Sequence, residues 1–185
     1  GTASFDSACG TWLGRDPANG GCYFDGYYHV GVDMMTRSID ANIYAIADGK
    51  IVGISNDPQS WGPGNCALVI RHNKQNGEEF IAVYGHLICT TVPMPGIEVI
   101  AGSSLGKTGV YLSLPNTHLH FSIHDDPYST MAKSGWGMMP NSSWPDQNTF
   151  TDPVEFIRNN TPFSSGPPLR YCGQISATET LCWDT

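Results

Sequence analysis

A two-residue alternation of imidazole with apolar side chains constrains this chain more than any other feature. In "HLHF", His118 and His120 stand two apart, with Leu119 and Phe121 in the alternate positions. Successive side chains of a strand point to opposite faces, so the pattern suits a strand with one polar and one packed face. In "HVGVD" the same rule sends His29, Gly31 and Asp33 one way and Val30 and Val32 the other. In "FIAVYGHL" it groups Phe80, Ala82, Tyr84 and His86 on one face. Three strands each offer imidazole or carboxylate on one side and apolar packing on the other.

The rest of the chain agrees with a mostly β fold. Its 21 glycines, 13 prolines and 11% aromatic residues suit a turn-rich chain better than a helical one. "IYAIADGKIVGIS" predicts a hairpin turning at Asp48-Gly49, a type I′ signal, and a second hairpin should turn near Asn76-Gly77. "GIEVIAGSSLGKTG" predicts a short strand broken by glycines. One short helix is expected in "TDPVEFIRNN", with Asp152 as N-cap and Pro153 at its first position. Residues 125–149 lack periodicity and predict a long ordered loop.

Two histidines and one aspartate, with water in the fourth place, are the donor set of an open catalytic zinc site. Two further histidines could then act as general base and as stabiliser of a developing oxyanion. Taken singly, His29 with Asp33, the HLH run and His86 would each more often be satisfied structural groups. Their coincidence on three strands, in a chain with six histidines, favours a shared site. His72 and His124 lie near strand ends beside Asn73 and Asp125-Asp126, and are read as structural. Tyr84 is expected to line a cleft, with loops bearing Trp61, Trp136 and Trp144 as its walls.

The formal net charge of −8 argues against nucleic acid as a partner, because phosphate binding needs clustered Lys and Arg. No apolar run is long enough to span a membrane. The chain opens at Gly1 without a signal-peptide pattern or initiator Met, and reads as a mature or trimmed product. Cys9, Cys22, Cys66, Cys89, Cys172 and Cys182 are scattered, with no C-x-x-C pair. That usage predicts disulfides and a secreted, extracellular home. Short separations favour Cys9–Cys22 and Cys172–Cys182, which leaves Cys66–Cys89.

"HVGVDM", "YAIADGKIVGI", "YGHL" and "THLHFSI", in that order, resemble the lysostaphin-type zinc endopeptidases, the LytM-domain family. The resemblance runs from about Gly14 to Ile157. It implies an antiparallel β-sheet core with a narrow cleft bordered by loops, and hydrolysis of peptide bonds in bacterial peptidoglycan. It also implies one zinc ion held by His29, Asp33 and His120, with His86 and His118 as the catalytic histidines. One peptidase domain is expected over 1–185, with its motif-bearing core in 14–157 and a stapled tail in 160–185. A monomer is expected. The cysteines look more like the secreted beta-lytic, staphylolytic branch, whereas the acidity departs from the basic surface of many relatives. The alternative class is a non-enzymatic module of the same family that binds the wall or activates an amidase. Degenerate members of that kind lack zinc ligands, but here all five positions are filled.

Overall fold

Runs rich in Ile, Val, Leu and Phe supply the strands, and charged or glycine-bearing turns separate them. In a computed structural model, residues 27–36, 38–110, 117–124, 138–140, 150–160, 170–174 and 180–184 are described. In chain order the first elements are β1 (Tyr27–His29), β2 (Val32–Met35), β3 (Asn42–Tyr44) and β4 (Gly49–Ser55). A one-turn α1 (Pro58–Trp61) leads into β5 (Asn65–Asn73) and β6 (Glu79–Ile88). Then come β7 (Glu98–Val99), β8 (Ser104–Lys107), β9 (His118–His124), β10 (Met138–Pro140) and β11 (Phe150–Thr151). Helix α2 (Pro153–Asn160) precedes β12 (Arg170–Gln174) and β13 (Thr180–Asp184).

The main sheet runs β13-β12-β2-β9-β6-β5-β4-β7, with β11 added along β9. Two ribbons, β1-β10 and β3-β8, complete the strand pairing among the described residues, where every pair is antiparallel. The expected mostly β, antiparallel architecture, with one short helix of more than a single turn among the described residues, is therefore what the chain forms. Asp152 caps α2 as anticipated: its Oδ1 accepts the Val154 N–H at 2.8 Å.

The main core lies on one face of the sheet. Val32, Met34, Leu68, Ile70, Phe80, Ala82, Leu119, Phe121 and Ile123 pack there with Phe156 and Ile157 of α2. A smaller cluster on the opposite face joins Val30, Trp61, Ala67, Val69, Ile81, Val83 and Phe150. The polar faces of β2 and β9 look onto this second side.

Several local expectations need correction. β5 and β6 form the predicted hairpin, with Gly77 in the left-handed region at φ 86°. Asp48-Gly49 does not close one: β3 pairs with β8, whereas β4 pairs with β5 and β7. Neither residue has the positive φ that a type I′ turn requires. Residues 45–47 instead cross to the β7–β8 connection, where Ala45 N–H donates to Ser103 O and Gly102 N–H to Ala45 O. The segment 125–149, expected as loop throughout, contains β10.

Tyr84 does not line a cleft. It is 1% exposed in the main core, with its hydroxyl 2.9 Å from His72 Nε2 and accepting the Ile46 N–H. Cys66 and Cys89 are free thiols rather than a disulfide. Burial, together with a hydrogen bond to Cys89, pushes the Cys66 thiol up, so it stays protonated and unreactive. Cys172 and Cys182 stand directly opposite each other in the β12–β13 register. Cys9, Cys22, Trp136 and Trp144 lie outside the described residues.

Candidate metal centre

Adjacent, antiparallel β2 and β9 bring the first groups together. Their register sets Asp33 opposite His120, and residues opposite each other across a ladder share a face. Leu119 and Phe121 pack into the main core, as the alternation predicts, and leave His118 and His120 on the other side. "HVGVD" is not one continuous strand, however. It breaks at Val30-Gly31, where β1 leaves to pair with β10. Val30 and Val32 accordingly enter different clusters instead of sharing a face. His29 still converges on Asp33, from the neighbouring ribbon.

The three donor atoms form a small triangle. His29 Nε2 lies 2.9 Å from His120 Nδ1, and each is 3.2 Å from Asp33 Oδ1. Zinc–nitrogen bonds of about 2.0–2.1 Å in a tetrahedron imply donor–donor edges of about 3.3 Å. Protonation points the same way. Burial alone would raise the Asp33 carboxyl, but the charges of His29 and His118 and hydrogen bonds from His120 and His29 hold it well below the usual carboxylate range. Burial pulls the His120 imidazole down to about 4, against the opposing effect of Asp33. An ionised carboxylate and a neutral imidazole are the forms that bind a cation. His29, Asp33 and His120 thus fit a zinc-type divalent ion, and they are the group able to hold a metal among the described residues.

His86 reaches this site by a route that simple alternation does not foresee. Tyr84 and Leu87 of β6 face Leu68 and Cys66 of β5, so the register shifts at Gly85-His86. His86 sits there at φ 61°, in the left-handed region that few residues with side chains occupy. The bulge turns it away from the Phe80, Ala82 and Tyr84 face and towards His118, whose ring centre is 4.5 Å away. His86 Nδ1 lies 3.0 Å from the Trp61 carbonyl oxygen. A carbonyl can only accept, so Nδ1 carries the proton and Nε2 is the basic nitrogen of the neutral ring. Burial, then repulsion from His118, pulls this imidazole down to about 3.

Trp61 is 2% exposed and supports the site from within. Its ring centre lies 5.4 Å from that of His86 and 5.7 Å from that of His120. Its indole N–H donates to Ser55 Oγ. Its carbonyl also accepts the Asn65 side-chain amide, which in turn donates to Val110 O. Two close approaches are glycine-dependent: a Cβ on Gly31 would lie 2.8 Å from the His120 ring, and one on Gly85 would lie 2.3 Å from Trp61. His118 Nε2 stands 3.7 Å from Asp33 Oδ2, within ion-pair reach.

His72 and His124 stay outside the group. His72 is in the main core, and His124 packs against Phe150. Ser122, by contrast, belongs to the site although no sequence motif singles it out. Its Oγ lies 2.7 Å from His120 Nε2. The signal was its position, two residues beyond His120 on the same face.

A family model described as peptidase family M23 matches residues 27–131. The catalytic domain of the antimicrobial peptidase lysostaphin from Staphylococcus simulans is 23% identical, with a TM-score of 0.51, covering 80% of this chain and 89% of that one. LytU is 24% identical with a TM-score of 0.52, covering 83% and 85%. At these identities the likeness is one of fold. A zinc-containing peptidase from Vibrio cholerae is 27% identical with a TM-score of 0.43, covering 59% of this chain but only 29% of its own. No curated protein matches the chain.

Proposed function

The chain belongs to peptidase family M23, and from that premise we propose that it is a secreted zinc endopeptidase that hydrolyses the peptide cross-links of bacterial peptidoglycan. The observation that carries this reading is the triangle of His29 Nε2, Asp33 Oδ1 and His120 Nδ1, with His86 and His118 beside it. The structural likeness to lysostaphin, an antimicrobial peptidase, supports the choice of substrate. Cys172 and Cys182, opposite each other on β12 and β13, support an extracellular site of action.

His29, Asp33 and His120 would hold the zinc. When bound, zinc supplies Lewis acidity to the scissile carbonyl and to the attacking water. His86 is placed to act as the base: its Nδ1–H is committed to the Trp61 carbonyl and burial keeps the ring neutral, which leaves Nε2 to take a proton from water. His118, beside the Asp33 carboxylate, keeps an N–H to donate towards oxygen as negative charge develops there. The proton taken by His86 then passes to the departing amine. Trp61 holds His86 in line and keeps water from the rear of the site.

Two variants separate these roles. His118→Ala should keep its fold and its zinc yet lose hydrolysis of purified peptidoglycan by at least about 100-fold, in line with loss of a positioned proton-transfer or oxyanion group. Asp33→Ala should lose the metal itself, read by elemental analysis. Wild-type cleavage by both variants would refute the assignment.

A further inference from the structure

His120 is the one member of the triangle that shows Nδ1 rather than Nε2 to its partners. A histidine facing a cation through Nδ1 must carry its proton on Nε2, and that N–H needs an acceptor if it is buried. Here Nε2 is 2.7 Å from Ser122 Oγ, and Ser122 is fully buried. Val83 stands opposite Ser122 on β6. Gly31 closes over the ring edge, so that even a methyl group there would meet His120 Cε1 and Nε2 at 2.8 Å. The imidazole is therefore gripped along the edge that points away from Asp33.

We propose that Ser122 is a positioning residue for the metal centre, its hydroxyl fixing the ring and tautomer of His120 so that Nδ1 is the ligating nitrogen. A hydroxyl suits this position because it both donates and accepts. In the metal-free chain Oγ–H can donate to Nε2 while Nδ1–H faces Asp33. With a cation in the triangle, Nε2–H donates to Oγ. The same serine thus accompanies His120 through both states without moving. Alanine would remove the hydroxyl that accepts this buried N–H whenever metal is bound. The inference rests on the metal-centre reading above, and its test separates the two.

Zinc affinity of the full chain would be measured by competition with a chromophoric chelator for the wild type, Ser122→Ala and Ser122→Thr. Loss of an outer partner of a ligating histidine lowers metal affinity by about 10–100-fold, which is the drop expected for Ser122→Ala. Ser122→Thr keeps the hydroxyl and should recover most of it. Nitrogen NMR of the zinc-loaded wild type needs no variant, and should show His120 bound through Nδ1 with its proton on Nε2. Unchanged affinity in Ser122→Ala, or ligation through Nε2, would overturn the role of Ser122 while leaving the metal centre standing. A wild type that binds no zinc would overturn the metal-centre reading and this inference with it.

Discussion

At Gly85 the missing side chain is what lets Trp61 lie over the site. A Cβ there would fall 2.3 Å from Trp61 Cζ3 and 3.1 Å from His120 Cβ. Gly85→Ala must displace the buried indole of Trp61, whose backbone carbonyl holds His86. Overpacking of this kind costs about 1–3 kcal/mol, and denaturant titration should show that loss together with reduced hydrolysis. The neighbouring His86 pays a conformational cost of its own at φ 61°, of the sort found where function over-determines the backbone. Much of this was readable residue by residue. Asp33, His118 and His120 follow from alternation in two strands. His86 could be named from its motif, but its face could not, because one extra residue in a bulge inverts a two-residue period. Ser122 was readable by the same alternation, yet a lone serine on a strand carries no signal until its partner is known.

Among the elements, β6 carries His86 of the site on one face and shares with β5 a buried polar link on the other. His72 of β5 contacts Tyr84 of β6 through Nε2 and the Asp48 carbonyl through Nδ1, at 2.9 and 3.2 Å. Asp48 Oδ1 also accepts the Ala101 N–H, so the link ties the hairpin to the crossing segment. Burial lowers the His72 imidazole from 6.5 to about 4. Between those values the unfolded chain binds a proton that the folded chain does not. Stability should therefore fall as pH drops from about 6.5 towards 4, by roughly 3 kcal/mol from this group. Urea titrations at pH 7 and pH 4.5 check this: His72→Gln should lose less stability over that interval than the wild type. An equal loss in both would remove His72 from the acid limb. The sequence pattern around Asp48-Gly49 misled for a related reason. An Asp-Gly pair between apolar runs resembles a hairpin, but Ala45, Ile46 and Ala47 are buried, with Ala45 bonded to the β7–β8 connection and the Ile46 N–H to the Tyr84 hydroxyl. Tertiary contacts, not turn propensity, decided the path.

Over the whole molecule, the family match, the sheet order and the site agree on a peptidase, and the net charge of −8 sets how it would meet its substrate. Repulsion from anionic wall polymers weakens once salt shortens the screening length. Lysis of cells with such walls should rise with moderate salt before it falls, read by loss of turbidity, and a flat response would take charge out of the account. The mostly β character was legible because period-two patterns recur along the chain. The strand order was not, since β2, β9 and β6 are neighbours in space but far apart in sequence. The most direct test of the central claim is the release of new amino groups from purified peptidoglycan by one enzyme sample as prepared, after exhaustive chelation, and after one equivalent of zinc is returned. The account predicts activity, its loss and its recovery in that order, with no recovery in Asp33→Ala. Undiminished release after chelation, with the metal shown to be gone, would contradict it.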